Sequence, residues 1–315
     1  MKHAIIRRPE METAALDLGG EPIDLADYAT TGLLGVAVGP RGGGKTNAGL
    51  VIAEQLADQG WICVLVDPEA EMEALYGDAV ADPDALRRAL VERDRPIVVV
   101  RAADAVEFVP YGRVILDVAD EHRKPIFVMI DEGQLFSAPR KRKDGLGEAA
   151  DLINEFAGRG RKRALDLFIT ALRYTGTLHR SVFSNKNLTL IGCQEDPAVW
   201  SALAPQFKAS HIEFEQLNAL SPGEFFCFSR RGVDKIRMPM AAALKAAHVP
   251  RARPARRALP TTFTQWNRAM REIPDARLAA LTEPVTTLLG AVAGLTARQL
   301  HEGALALADE RERRL

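Results

Sequence analysis

Cysteine is scarce. The 315 residues carry three, Cys63, Cys193 and Cys227, and no two stand in a CxxC spacing. That excludes a disulfide framework; the thiols lie in apolar, strand-like runs and read as buried and reduced, as in a reducing cytosol. Long hydrophobic runs are missing as well. "LLGVAV" and "LLGAVAGL" fall far short of the ~20 residues a membrane span needs. The opening stretch "MKHAIIRRPEMETAALD" has no apolar h-region, so neither a secretion signal nor a membrane anchor is expected, and a cytoplasmic location is. Excess charge is absent too, with a formal net charge of −1, so any nucleic-acid site must be a local patch. His122, His179 and His211 show no metal-ligand spacing, and zinc is not expected. The C-terminal part holds no acidic cluster fit for two metals, which argues against a nuclease site. No internal repeat is present.

What the chain does have is 47% apolar residues over a length that suits one large domain and a small one. After an irregular or short-β lead-in over residues 1–30, strand-like and helix-like segments alternate. "LLGVAV" (33–38), "WICVLV" (61–66), "PIVVV" (96–100), "PIFVMI" (125–130), "DLFITA" (166–171), "LTLIG" (188–192) and "GEFFCFS" (223–229) read as strands. "KTNAGLVIAEQLADQG" reads as a helix with Ala48, Val51, Ile52 and Leu56 on one face and Gly60 at its end. "DPDALRRALVER" reads as another helix. Such alternation predicts an α/β fold with a mostly parallel sheet covered on both faces. "EFFCFSRRGVDKIRM" reads as a hairpin on one edge.

The sharpest motif is Gly39 to Thr46, "GPRGGGKT", which fits GxxxxGK[ST] between a buried strand and an amphipathic helix. Consecutive backbone N–H groups must turn inward around a phosphate, and side chains would block that approach. The helix start adds partial positive charge. Gly39, Pro40, Arg41, Gly42, Gly43, Gly44, Lys45, Thr46 and Asn47 are therefore the expected nucleotide-binding residues, with Lys45 on the β- and γ-phosphates and Thr46 on Mg²⁺. A second element, "PIFVMIDEGQLF", ends an apolar strand in Asp131-Glu132. Asp131 at the strand tip suits the Mg²⁺ shell, and Glu132 beside it suits orientation of an attacking water. The pair argues for an ATPase that uses its own glutamate.

These stretches, with "VLVDPEAEME" and "FAGRGRKRALDLFITALRYTGTLHRSVFSNKNLTLIG", resemble the FtsK–HerA superfamily of ATP-driven DNA pumps over about residues 32–240. The resemblance implies a RecA-like (ASCE) P-loop NTPase with a small helical C-terminal region, ATP and Mg²⁺ as cofactors, and a homo-oligomeric ring, hexameric or pentameric, with ATP between subunits. It also implies DNA, in duplex form, as the partner, and a protein partner such as a portal, a capsid component or a nuclease. The location would be the host cytoplasm, or a virion if the source is viral. Gly160-Arg161-Lys162 falls where the family supplies an arginine to the neighbouring subunit's nucleotide. Arg161 is the candidate finger, with Arg159 and Arg163 as rivals. The chain departs from the family at Leu172, which stands where a glutamine follows the strand, and Thr170 is the candidate to take over its γ-phosphate-sensing role. The N-terminus is too short for the β-barrel of the HerA proteins and no transmembrane region precedes the motor, so bare motor cores such as packaging ATPases are the nearest match.

The expected organisation is a lead-in (1–30), the motor (31–240), a basic Pro/Arg-rich linker (241–260) and a helical region (261–315). Arg140, Lys141, Arg142 and Lys143 in "APRKRKDG" are the candidate DNA contacts, because phosphates attract such a loop without regard to base sequence. The same composition also describes a solvated surface loop. "RARPARR" (251–257) is a second basic segment, a tether or a phosphate grip. The last two helices, one opening on a Thr296–Gln299 capping box, form a helical hairpin or part of a helix-turn-helix. Three functions follow: a DNA-translocating ATPase, an oligomeric ATPase scaffold that regulates a partner effector, and a ParA-type partition ATPase. The last is disfavoured, because Arg41 stands where that type carries an extra lysine.

Overall fold

Alternation of strand and helix governs the described chain, residues 14–137, 146–174, 178 and 180–248 of a computed structural model. Two short strands, β1 (Ala15–Leu16) and β2 (Ile23–Asp24), pair antiparallel and precede the main sheet. The first main strand, β3 (Leu34–Val38), runs into the glycine loop and then helix α1 (Lys45–Asp58). β4 (Ile62–Asp67), the short α2 (Glu73–Tyr76), α3 (Pro83–Glu92) and β5 (Ile97–Arg101) follow. Next come α4 (Ala105–His122), β6 (Ile126–Ile130), α5 (Leu146–Arg163) and β7 (Leu165–Ala171). The described chain closes with α6 (Arg180–Asn185), β8 (Leu188–Ile191), α7 (Pro197–Phe207), α8 (Phe214–Asn218), β9 (Glu224–Ser229), β10 (Gly232–Arg237) and α9 (Ala242–His248).

The eight strands lie in the order β10-β9-β8-β3-β7-β6-β4-β5. From β8 to β5 every pairing is parallel, and β9 and β10 add the expected antiparallel hairpin at one edge. The fold is therefore the expected α/β class, and β7 lies between the glycine-loop strand β3 and the acidic-tip strand β6, the order of the RecA-like type. Strands β3, β4, β6, β7 and β8 are buried at every position, as strands covered on both faces must be. Alternate residues feed two cores. Val36, Val64 and Val128 join the α3–α4–α5 side, while Ala37, Leu65 and Met129 join the side covered by α1.

Local chemistry sets the helix starts. Asp82, Asp104 and Asp196 cap α3, α4 and α7 with side-chain carboxylates, and Pro83 and Pro197 stand at the first helical turn where a missing N–H costs nothing. The sheet base is tied by Asp166, buried on β7. Its carboxylate accepts from Leu33 N–H and from Trp61 Nε1–H, each at 2.9 Å. Helices α2, α4, α6, α7, α8 and α9 were not read from the sequence, and α9 stands where the first residues of the linker (241–260) were expected. Of the expected organisation, residues 1–13 of the lead-in, the linker from 249 onward and the C-terminal helices lie outside the described residues.

Candidate nucleotide site

The loop between β3 and α1 starts at the carboxyl end of the sheet. There β8 and β7 flank β3 on opposite sides, the position at which open α/β sheets bind ligands. Gly42 and Gly44 have φ of +70° and +91°, a region that side-chain-bearing residues avoid. At Gly44 a Cβ would also lie 3.2 Å from Gly223 Cα, and Gly223 N–H donates to Gly43 O at 3.1 Å. The turn before β9 thus braces the loop from behind. Unlike α3, α4 and α7, helix α1 has no side-chain cap at its start. Its first N–H groups face the loop, which is what a bound phosphate requires. Lys45 is buried, and its Nζ donates to Pro40 O at 2.9 Å, arching across the loop it would clamp. Burial pulls its ammonium pKa down, against the carboxylates of Glu132 and Asp131, which hold it up. Arg41 is exposed at the loop tip.

Asp131 and Glu132 follow β6 directly, and Asp131 N–H continues the ladder to Val66 O at 3.1 Å. The Thr46 hydroxyl lies 3.0 and 3.2 Å from the two Asp131 oxygens. The Thr170 hydroxyl, at the end of β7, donates to Asp131 Oδ1 at 2.6 Å and accepts from Glu132 N–H at 2.9 Å. Two strand ends, those of β6 and β7, and the start of α1 are thereby joined through hydroxyl and carboxylate groups. Burial raises the Asp131 pKa, and the hydrogen bonds from Thr170 and Thr46 oppose that rise. A hydroxyl and a carboxylate this close are hard oxygen donors, which fits Mg²⁺. Among the described residues no group of three or more His, Cys, Asp or Glu could hold a metal ion, so such an ion would rely on Thr46, Asp131 and the ligand's own phosphates.

Two candidate residues have side chains engaged within the chain. The one O–H hydrogen of Thr170 is engaged by Asp131, and its oxygen receives Glu132 N–H, so the residue holds Asp131 and the Glu132 backbone. The side-chain amide of Asn47 points away from the loop. Nδ2 donates to Pro239 O at 2.8 Å and Oδ1 accepts from Ala241 N–H at 2.9 Å, so it fastens the chain after β10 to α1. Of the arginine rivals, Arg163 donates to Asp120 and Glu155 of its own chain, an unsuitable state for a group offered to a neighbour. Arg161 and Arg159 stand in the last turns of α5; their side chains lie outside the description, as do Arg140, Lys141, Arg142 and Lys143. Leu172 directly follows β7 and is half-buried. Asp67 ends β4 and closes the following turn by accepting from Met72 N–H at 2.7 Å.

Sequence reading passed over two residues here, Gly133 and Gln134. Glu132 has φ 47° and ψ 47°, left-handed for a residue that is not glycine. A Cβ at Gly133 would fall 2.2 Å from Ile169 Cγ2 and 3.1 Å from Thr170 O, so only glycine packs there. Gln134 Nε2 donates to Glu132 Oε2. A glycine immediately after an acidic strand tip was the available signal for the tight turn.

No protein-family model matches this sequence. No curated protein matches it either. Solved structures do. The genome packaging NTPase B204 from Sulfolobus turreted icosahedral virus 2, in complex with ATP-gammaS, superposes with a TM-score of 0.53 at 15% identity, covering 66% of this chain and 98% of that one. B204, the DNA-packaging ATPase from Sulfolobus Turreted Icosahedral Virus, gives 0.51 at 14% identity, covering 65% and 97%. VirB4 of Thermoanaerobacter pseudethanolicus gives 0.55 at 11% identity, covering 73% and 98%. At such identities the likeness establishes the fold, and it is the P-loop ATPase fold that the motifs imply.

Proposed function

We propose that the chain is an ATP-hydrolysing motor of the FtsK–HerA type, working as a ring of identical subunits that moves duplex DNA. The observation that carries the ATPase reading is the joined cluster of Thr46, Asp131 and Thr170 beside buried Lys45 and the uncapped start of α1. It gathers phosphate donors, cation ligands and Glu132 at one end of the sheet. The loop N–H groups and Lys45 would hold the phosphates. Thr46 and Asp131 would hold Mg²⁺, which when bound neutralises charge on the phosphates. Glu132 would take a proton from a water that attacks the terminal phosphorus, as the bond to the bridging oxygen breaks and ADP leaves. Arg161, supplied by the neighbouring subunit, would stabilise charge on the transferred group. Hydrolysis would then shift the interface and, with it, the loop at Arg140 to Lys143 along the duplex. The packaging and VirB4 structures that share the fold support this choice over the ParA-type reading.

A second reading rests on Leu172, which stands where the family carries a glutamine. A chain whose coupling between hydrolysis and movement is altered suits an ATPase ring that scaffolds a partner effector such as a nuclease. Among the described residues no helix is long and apolar enough to cross a membrane.

ATP turnover of the full chain, with and without long duplex DNA and beside E132Q and R161A, tests the proposal. The motor reading expects DNA to raise turnover several-fold and both variants to remove nearly all of it. Turnover indifferent to DNA, with co-purification of a partner enzyme, would favour the scaffold. A protein that remains monomeric with ATP and ignores DNA would overturn the motor reading.

A further inference from the structure

The turn after β6 is shaped around Glu132 in a way that phosphate binding does not require. Glu132 sits in a left-handed conformation, an uncommon and strained state for a side-chain-bearing residue. Its N–H is fixed by Thr170 and its successor is forced to be glycine by Ile169. Gln134 then folds back so that its amide reaches the Glu132 carboxylate. A carboxylate only accepts, so that contact fixes the amide with Nε2 toward Glu132. The consequence falls on the other end of the amide. Gln134 Oε1 is buried and has no hydrogen-bond partner among the described residues. An unpaired buried carbonyl weakens a fold, so a side chain kept for stability alone would not be expected to adopt this arrangement.

Glu132 also needs holding. It is only half-buried, on a long side chain, and it lies within the electrostatic reach of Lys45. An ion pair with that lysine would occupy the carboxylate and remove the lysine from its phosphates. Lys45 Nζ instead donates to Pro40 O, while Glu132 is engaged by the neutral amide of Gln134.

We infer that Gln134 is a positioning residue for hydrolysis, its amide N–H holding the Glu132 carboxylate where it can accept the proton of the attacking water. The inference rests on the ATPase reading, because Gln134 acts through Glu132. It assigns the "DEGQ" stretch a division of labour: Asp131 for the cation, Glu132 for the proton, Gly133 for the turn and Gln134 for the aim.

The test is steady-state ATP turnover of the full chain with Mg²⁺, comparing wild type, E132Q, Q134M and Q134E. Methionine is close in size and has no donor; glutamate keeps the shape and puts an acceptor against an acceptor. Both Gln134 variants are expected to lose at least about tenfold in kcat, with KM for ATP within about twofold and the melting temperature within a few degrees of wild type. Adding Q134M to E132Q should lower the residual rate no further, because residues that act as one unit are not additive. The inference is overturned if kcat stays within about twofold of wild type. It is equally overturned if kcat falls only in step with the melting temperature, or if the double variant loses as much again. An inert wild type, or an E132Q variant as active as wild type, would instead remove the ATPase reading and this inference with it.

Discussion

Thr170 and Asp131 are joined by a hydrogen bond of 2.6 Å that runs from the end of β7 to the tip of β6. The bond does two things. It supplies a donor to a carboxylate whose burial pushes its pKa up, and it sets the Thr170 oxygen to receive Glu132 N–H. Thr170→Val keeps the shape and removes both contacts. It is expected to cost about 1–3 kcal/mol of stability and to lower ATP turnover by roughly ten- to a hundredfold, while Thr170→Ser retains most of each. Thermal melting and turnover measured on the same preparations check this. If Thr170 read the γ-phosphate directly, the valine variant would instead raise KM for ATP and leave the melting temperature unchanged.

Asn47 links the nucleotide helix to the way out of the sheet. Its amide holds Pro239 O and Ala241 N–H, and seven residues further along α1 Glu54 accepts from Ala242 N–H and Ala243 N–H at 2.6 and 2.9 Å. Asn47→Ala should therefore loosen the start of α9 and leave the phosphate loop in place. Proteolysis between residues 238 and 248 is expected to quicken several-fold, while affinity for an ATP analogue changes less than about twofold. A large loss of nucleotide affinity with unchanged proteolysis would return Asn47 to the binding loop.

Much of this architecture could be read from sequence, for physical reasons. The buried parallel strands are continuous apolar runs, and the glycine loop is conspicuous because its residues are wrong for anything except a backbone that must touch a ligand. Asp131 and Glu132 stand out because acidic residues close an apolar strand. What stayed hidden depends on contacts between distant segments. Nothing around Asn47 announces that Pro239 and Ala241 will arrive beside it, and nothing around Thr170 announces that its hydroxyl will be engaged by Asp131. Arg163 is a rival to Arg161 in the sequence, and only the fold shows that Asp120, from another helix, lies against it. Helix α4 was missed because its run "AVEFVPYGRVILDVADEH" carries Pro110 and Gly112, which read as breaks. Its Asp104 cap and the packing of Phe108 against Phe136 and Phe156 override them.

The buried thiols and phenols make stability sensitive to alkali. Burial, then the charge of Asp234, pushes the Cys227 thiol up to about 12 from an ordinary 9.0. Burial likewise pushes Tyr28 up to about 12 from 10.0, and it raises the Cys63 thiol too. In each case the neutral form is favoured by the fold and the unfolded chain ionises first. The stabilisation is thus fully present below about pH 9 and is lost as pH rises toward 12. The melting temperature should fall steeply over that window, and Cys227→Ala should flatten the fall. A profile identical in the variant would mean that Cys227 contributes nothing to it.

Asp166 offers the cleanest test of what holds the sheet base together. Its carboxylate is buried, and it receives Leu33 N–H and Trp61 Nε1–H, groups from the starts of β3 and β4 that have no water to turn to. Asp166→Ala leaves both donors unpaired. The expected loss is about 3 kcal/mol, which in a domain of this size lowers the melting temperature by roughly 6–12 °C. Asp166→Asn keeps one accepting oxygen but turns an NH₂ group toward the second donor, so it should recover only part of the loss. The nucleotide site lies at the opposite end of the same strands, so affinity for an ATP analogue measured well below the melting temperature should hardly change in either variant. An alanine variant that melts within about two degrees of wild type would show that the two donors find other partners and that Asp166 is dispensable to the sheet.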